Sequence, residues 1–228
     1  MKKNDVVAII IARAGSKSIP RKNLLKIRGK PLVAWPILLA KSTKKIGRVI
    51  VTTDDLEIME VAKKFGAETP FLRPKTLADD ETPTLPVLQH CLKYLKKKEN
   101  YTPKIVALLY PTSPFLSKKR VEEALDLFDK YDCNSVISVV RDWGRFWKQS
   151  GDGTYKPFYP LKRVNRQYFQ PLLRENGAIY FSKFEVLMGM NKLVDKRNIQ
   201  FVIMKGDENI DIDFISDLKK AKTKQKVK

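Results

Sequence analysis

Two short stretches of this chain hold residue types that could do chemistry together. The first is Ala12-Arg13-Ala14-Gly15-Ser16-Lys17-Ser18, with Arg21, Lys22, Lys26 and Arg28 close behind, after an apolar run that starts at Val6. A turn of small residues after a buried strand exposes backbone N–H groups, and nearby cations complete an anion site of the kind that suits a triphosphate. Gly15-Ser16-Lys17-Ser18 resembles the end of a P-loop. The glycine that motif requires five residues earlier is Ile10, however, so this is no Walker A loop, and a GxGxxG fingerprint is missing too. On these residues alone a solvated basic loop stays open. The second stretch is Asp211-Ile212-Asp213. Alternate residues of an extended segment point to one side, so both carboxylates can reach one hard cation. Two carboxylates plus phosphate oxygens is the usual way of holding Mg²⁺. An acidic pair taken alone also serves as a helix cap or a surface pair. Together, a triphosphate loop and a DxD read as nucleotidyl or phosphoryl transfer.

Regular elements must bring these stretches together. "RVIVTTDD" reads as a strand ending in two acids, and "DDLEIMEVAKKFG" as a helix with Ile58, Val61, Ala62 and Phe65 on one face and Gly66 as its stop. "KIVALLYPTSPF" reads as a fully buried strand closed by Pro111 and Pro114. "SKKRVEEALDLFDKY" reads as a capped helix turning Val121, Ala124, Leu125 and Phe128 inward. "NSVISVV", "GAIYFS" and "QFVIMKG" are further strands. Strands alternating with helices predict a three-layer, Rossmann-like α/β fold with a mostly parallel sheet. Ligands of such sheets lie beyond the carboxyl ends of the strands, so the loops after Ala12, Thr53 and Tyr110 should line one site. Residues 141–173 differ in texture: aromatic, basic and rich in turns. They read as an excursion from the sheet that contacts substrate or a second subunit, or as a β-hairpin flap with Gly151-Asp152-Gly153 at its tip.

Composition narrows the classes. A chain of 228 residues, 43% hydrophobic and 31% charged, is a folded globular protein with ample core, read here as a single domain over residues 1–228. No apolar stretch is long enough for a transmembrane helix. The opening residues imitate a minimal secretion signal, but Asp5 and the β-branched run favour a buried strand, which makes the expected setting cytoplasmic. Cys91, Cys133 and His90 are too few and too scattered for a disulfide framework or a Cys/His zinc site, and read as buried thiols and a satisfied histidine. The balance of 45 basic to 25 acidic residues gives +20, which favours anionic partners. Six of the last ten residues are lysine, so residues 219–228 read as a solvated tail. A nucleic-acid-binding module using "WGRFWK" is the rival from another class, but it leaves the DxD without a task.

"ARAGSKSIPRKN", "VTTDD", "YPTSP", "RENGAIYF" and "DIDFISDL" occur in the order seen in the acylneuraminate cytidylyltransferases, and the resemblance covers nearly the whole chain. That family makes CMP-sugars from CTP and sialic acids, with relatives acting on other nine-carbon acidic sugars and on the eight-carbon sugar Kdo. The resemblance implies a nucleotidyltransferase fold, Mg²⁺ as cofactor, CTP and an acidic nine-carbon sugar as substrates, and a homodimer with shared active sites. Position by position it implies that Arg13, Ser16, Lys17, Lys22 and Asn23 bind CTP, with Arg13 and Lys22 facing the phosphates. Arg73, Thr82 and Thr84 would hold cytosine and ribose, and Asp211 and Asp213 the metal. Arg174, Tyr180 and the pair Arg166-Gln167 would lie at the sugar. Residues 141–173 would be the dimerisation segment. One departure bears on the sugar: many sialic-acid members carry glutamine before "PTSP", where this chain has Tyr110. Tyrosine donates one hydrogen bond but lacks the amide's paired donor and acceptor. N-acetylneuraminate, legionaminate and pseudaminate therefore stand level. The base is open between Asp211 and a metal-activated hydroxyl.

Overall fold

The computed structural model describes residues 2–159, 165, 168 and 170–223. Its elements run β1 (Val6–Ile11), β2 (Lys26–Ile27), β3 (Lys30–Pro31), α1 (Ala34–Ser42), β4 (Arg48–Thr52), α2 (Leu56–Lys64), α3 (Thr84–Glu99) and β5 (Ile105–Leu109). After these come α4 (Lys118–Tyr131), β6 (Ser135–Asp142), β7 (Trp147–Gln149), β8 (Tyr155–Pro157), β9 (Leu172–Lys183), α5 (Phe184–Met188), β10 (Ile199–Met204) and α6 (Ile215–Thr223).

The six-stranded sheet has the order β10-β6-β9-β5-β1-β4. β1 pairs in parallel with β4 and β5, and β10 in parallel with β6, while β9 runs antiparallel between β5 and β6. The period of two along β1 explains the layers. Val6, Ala8 and Ile10 turn toward the face covered by α1, α2 and α4, and Val7 and Ile9 toward Leu88, Cys91, Leu92 and Leu95 of α3. With helices on both faces the central strands are buried throughout, hence their continuous apolar runs. The Asp55 side chain caps α2 by accepting from the Ile58 N–H at 2.9 Å, and Gly66 stops that helix at φ +86°. Leu92 is wholly buried. Leu92→Ala should cost about 2–5 kcal/mol, read as a lower urea midpoint at unchanged slope.

Three sequence expectations are corrected here. Ser117 precedes α4 but makes no capping bond, because its hydroxyl donates to Glu208 Oε1 at 2.6 Å. The excursion is shorter than residues 141–173: Arg141 pairs with Leu173 and Asp142 with Leu172 in the sheet, and β7 and β8 form a hairpin with Gly153 at φ +81° in its turn. Residues 219–223 are no tail. They complete α6, whose Ala221 is buried against Ile212, Ile27 and Leu32.

Candidate active site

The loop after β1 folds back across the carboxyl end of the sheet. Ala12 N–H donates to the Thr52 carbonyl at 3.1 Å, and Ala14 N–H to Asp54 Oδ1 at 3.0 Å, so the turn is fixed to the end of β4. Asn23 is buried and its side-chain amide donates to the Arg13 carbonyl at 2.9 Å, which closes the loop on itself. Ser16 Oγ accepts from the Ile19 N–H at 3.4 Å. On the other side, Ile212 N–H donates to the Thr112 carbonyl at 2.8 Å, which seats the acidic segment on the loop after β5. Lys22 joins the two: its Nζ donates to the Ile212 carbonyl at 3.1 Å and to Asp213 Oδ1 at 3.0 Å. The sequence-predicted anion loop and DxD, some 190 residues apart, thus meet at one ammonium.

Asp211 lies deeper than Asp213. Burial raises its carboxyl above the ordinary range, with Asp213 acting in the same sense and the Thr112 hydroxyl and Lys22 opposing. Its Oδ1 is buried with no hydrogen-bond partner among the described residues. Gly177, at φ +77°, lies beside it, and a Cβ there would stand 3.6 Å from Asp211 Oδ2. An orphaned carboxylate oxygen beside a second carboxylate is the donor set of a hard cation. Among the described residues no group of three or more acidic, histidine or cysteine side chains could enclose one. The pair therefore fits a cation whose remaining ligands come from phosphate and water, as Mg²⁺ prefers.

A register shift in the β6–β9 pair aims the next residues. Ser138 leaves the ladder at the bulge, donates to Asn176 Oδ1 at 2.5 Å and accepts from the Ile179 N–H at 2.9 Å. Such a bulge re-aims side chains. Arg174, Glu175, Tyr180 and Asp211, with Asp217 and Lys220 of α6, line a cleft of about 480 Å³. Arg174 Nε donates to Asp142 Oδ2 at 3.0 Å. Tyr180 Oη donates to Glu175 Oε2 at 3.0 Å, and burial with that carboxylate pushes the phenol's pKa up. Tyr110 packs edge-on to Tyr180 with ring centres 6.3 Å apart, and its hydroxyl lies 3.0 Å from Thr84 Oγ1 at the start of α3. Asp217 Oδ2 accepts from the Phe214 N–H at 2.9 Å, shaping the turn after Asp213.

Arg73, which the resemblance puts at the nucleoside, is fixed to the segment after β4. It is 2% exposed, its backbone N–H donates to the Thr53 carbonyl at 2.7 Å, and its Nη2 lies 3.4 Å from Asp54 Oδ1. Burial lowers its guanidinium pKa, against the pull of Asp54, and Nε has no partner among the described residues. Thr82 is half-buried on the loop that also carries Asp80, and Asp80 forms ion pairs with both Arg13 and Lys17 Nζ, the latter at 3.3 Å. Arg166 and Gln167 lie outside the described residues. His90 corrects an expectation: its Nδ1 is buried without a hydrogen-bond partner among the described residues, and its ring instead packs edge-on to Phe71 at 4.9 Å. Both cysteines are buried free thiols, Cys91 with its pKa pushed up to about 12 by burial.

Sequence reasoning missed Asp54, Asp80 and Glu175. Asp54 had a signal, being an acid just past the carboxyl end of a strand. The other two sit among many charged residues and acquire partners only through tertiary folding.

The three-layer α/β architecture is shared with a solved CMP:2-keto-3-deoxy-manno-octonic acid synthetase complexed with CTP, at TM-score 0.68 and 18% identity over 96% of this chain and 98% of that one. A 4-diphosphocytidyl-2C-methyl-D-erythritol synthase from Anaerococcus prevotii matches at TM-score 0.71 and 15% identity, over 97% of this chain and 98% of its own. The family comes from sequence: this chain belongs to the cytidylyltransferase family, whose model matches residues 7–150. It is 32% identical to N-acylneuraminate cytidylyltransferase A of Danio rerio over 93% of its length, and 30% identical to a pseudaminic acid cytidylyltransferase of Campylobacter jejuni over 97%. It spans 49% of the Danio rerio relative and 96% of the Campylobacter jejuni one. No helix among the described residues is long and apolar enough to cross a membrane.

Proposed function

We propose that this protein transfers CMP from CTP to the anomeric hydroxyl of a nonulosonic, sialic-acid-like sugar acid. The observation that carries the reading is the Lys22 bridge, which unites a phosphate-type loop with the DxD at the carboxyl end of a parallel sheet. The anomeric oxygen attacks the α-phosphorus, a bond forms between them, and the bond to the β-phosphate oxygen breaks to release pyrophosphate. Arg13, Ser16, Lys17 and Lys22 would hold the triphosphate, Asn23 would keep the loop closed, and Arg73, Thr82 and Thr84 would hold the nucleoside. Asp211 and Asp213 would hold Mg²⁺, which when bound supplies positive charge against that developing on the α-phosphate and leaving group. Asp211, which lines the cleft assigned to the acceptor, would also be the base that takes the proton of the attacking hydroxyl.

The acceptor fits the 480 Å³ cleft beside Asp211, where Arg174 and Lys220 offer cations to a carboxylate and Tyr110, Tyr180 and Glu175 offer hydroxyl and carboxylate partners. Both sialic and pseudaminic relatives support a nonulosonic acid, and Tyr110 is the residue we expect to tune the choice. Kdo is the second reading, favoured by the solved synthetase's fold alone. Pyrophosphate release measured with CTP, UTP, ATP and GTP across a panel of nonulosonic acids and Kdo tests the proposal. Activity should require CTP and favour a nine-carbon acid. The buried free thiols fit a cytoplasmic setting.

The same reading includes a homodimer whose partner segments complete each site. Exposed Trp143, Phe146, Trp147, Tyr155, Phe158 and Tyr168 supply an apolar, aromatic surface for it. Mixing inactive Arg166→Ala with inactive Asp211→Asn under conditions of subunit exchange should restore part of the activity, because one site of each heterodimer then holds both intact residues. A fully active monomer, or no recovery despite proven exchange, would return Arg166 to its own subunit or remove it from the reaction.

A further inference from the structure

Asp80 pairs with Arg13 and Lys17, the two loop cations that the proposed reaction gives to phosphate oxygens. A carboxylate from a segment 67 residues further along the chain therefore already occupies part of the phosphate-binding charge. The segment that carries it is tied at both ends. Upstream, buried Arg73 bonds to Thr53 and Asp54; downstream, Thr84 opens α3 and meets Tyr110. Between these anchors the run Asp79-Asp80-Glu81 is acidic throughout, and Thr82, at the proposed nucleoside side, follows directly.

Resting on that reading of Arg13 and Lys17, we propose that Asp80 is a built-in competitor for the phosphate site that drives pyrophosphate release. Entry of the triphosphate displaces the Asp80 carboxylate from both cations. When the bond to the β-phosphate oxygen has broken, Asp80 returns to Arg13 and Lys17 as pyrophosphate leaves, so departure of the product does not strand two unpaired cations. The trade is physically balanced. Partly exposed ion pairs are weak, so a tetra-anionic nucleotide held also by the nucleoside side wins the cations easily. Pyrophosphate lacks the nucleoside contacts and competes on charge alone. Displacement of Asp80 also moves the segment leading to Thr82, which couples phosphate occupancy to the nucleoside side. Asp80 is thus a positioning residue that acts through the cations it neutralises.

The test is calorimetric titration of inorganic pyrophosphate into the full chain at fixed Mg²⁺, with steady-state product inhibition beside it. Asp80→Asn should bind pyrophosphate about 2- to 10-fold tighter and show a correspondingly lower inhibition constant, since the lost competitor is a pair of solvent-screened ion pairs. Asp80→Glu should stay near wild type. Asp80→Ser serves if the asparagine variant fails to fold. Pyrophosphate binding that needs Arg13 and Lys17 yet is unchanged or weakened in Asp80→Asn would overturn the release role alone. Binding indifferent to Arg13→Ala and Lys17→Ala would overturn the phosphate-site reading beneath it.

Discussion

Lys22→Met lowers kcat/KM for CTP by about 10- to 100-fold, because a charge-assisted phosphate contact is worth about 1.5–3 kcal/mol and methionine keeps the length but not the charge. The effect should exceed that of Lys17→Met. Lys22 is mostly buried and bonded to both the Ile212 carbonyl and Asp213, whereas Lys17 is largely exposed and reaches only Asp80 among the described residues. Loss of the ammonium also leaves Asp213 without its neutralising partner, so the two carboxylates of the DxD repel each other more. Steady-state kinetics with CTP varied, beside a thermal melt showing a cooperative transition, separates this from unfolding. Near-normal kinetics in Lys22→Met would take the loop out of the site.

Asp211→Asn should reduce turnover by about 10²- to 10³-fold, in line with the loss of preorganised charge stabilisation at a reacting centre. CTP affinity should change far less, since charge on the α-phosphate and leaving group grows mostly in the transition state. Stability gives an independent readout. Burial raises the Asp211 carboxyl, so the folded protein holds its ionised form at a cost. A raised acid favours the folded state at low pH, and that advantage is lost as pH climbs through the carboxyl's ionisation. In EDTA the wild type should therefore lose stability on going from acid to neutral pH through this group, and Asp211→Asn should lack that loss and melt slightly higher at neutral pH. Added Mg²⁺ should raise the wild-type melting temperature and leave the variant's unmoved. A wild type fully active in EDTA would sink the metal assignment.

Much of this site was legible because strand ends announce themselves. β1 and β5 are continuous apolar runs that stop at Ala-Arg-Ala-Gly and at Tyr-Pro, and the period of α4 gave its buried face correctly, while that of α2 gave Ile58 and Ala62 but not the buried Met59. Direction was not legible: nothing in "GAIYFS" says that β9 runs antiparallel between two parallel neighbours, since direction is fixed by which strands it meets. Its first five residues escaped notice for a related reason. Arg174-Glu175-Asn176 is polar because the bulge turns those residues toward a cleft, so the apolar signal of a strand is missing there. α1 was hidden by Pro36, which the first turn of a helix tolerates because its N–H would have no partner. Ion pairs such as Asp80–Arg13 join residues chosen by the tertiary fold from many equivalent charges, and sequence carries no mark of them.

³¹P NMR of one reaction separates nucleotidyl transfer from phosphoryl transfer and from hydrolysis. With CTP, Mg²⁺ and a nonulosonic acid, one phosphodiester resonance and pyrophosphate should grow in equal amounts, with the phosphodiester split by coupling to the anomeric carbon of a ¹³C-labelled sugar. CDP with a sugar phosphate, or CMP and pyrophosphate with the sugar unchanged, would contradict it.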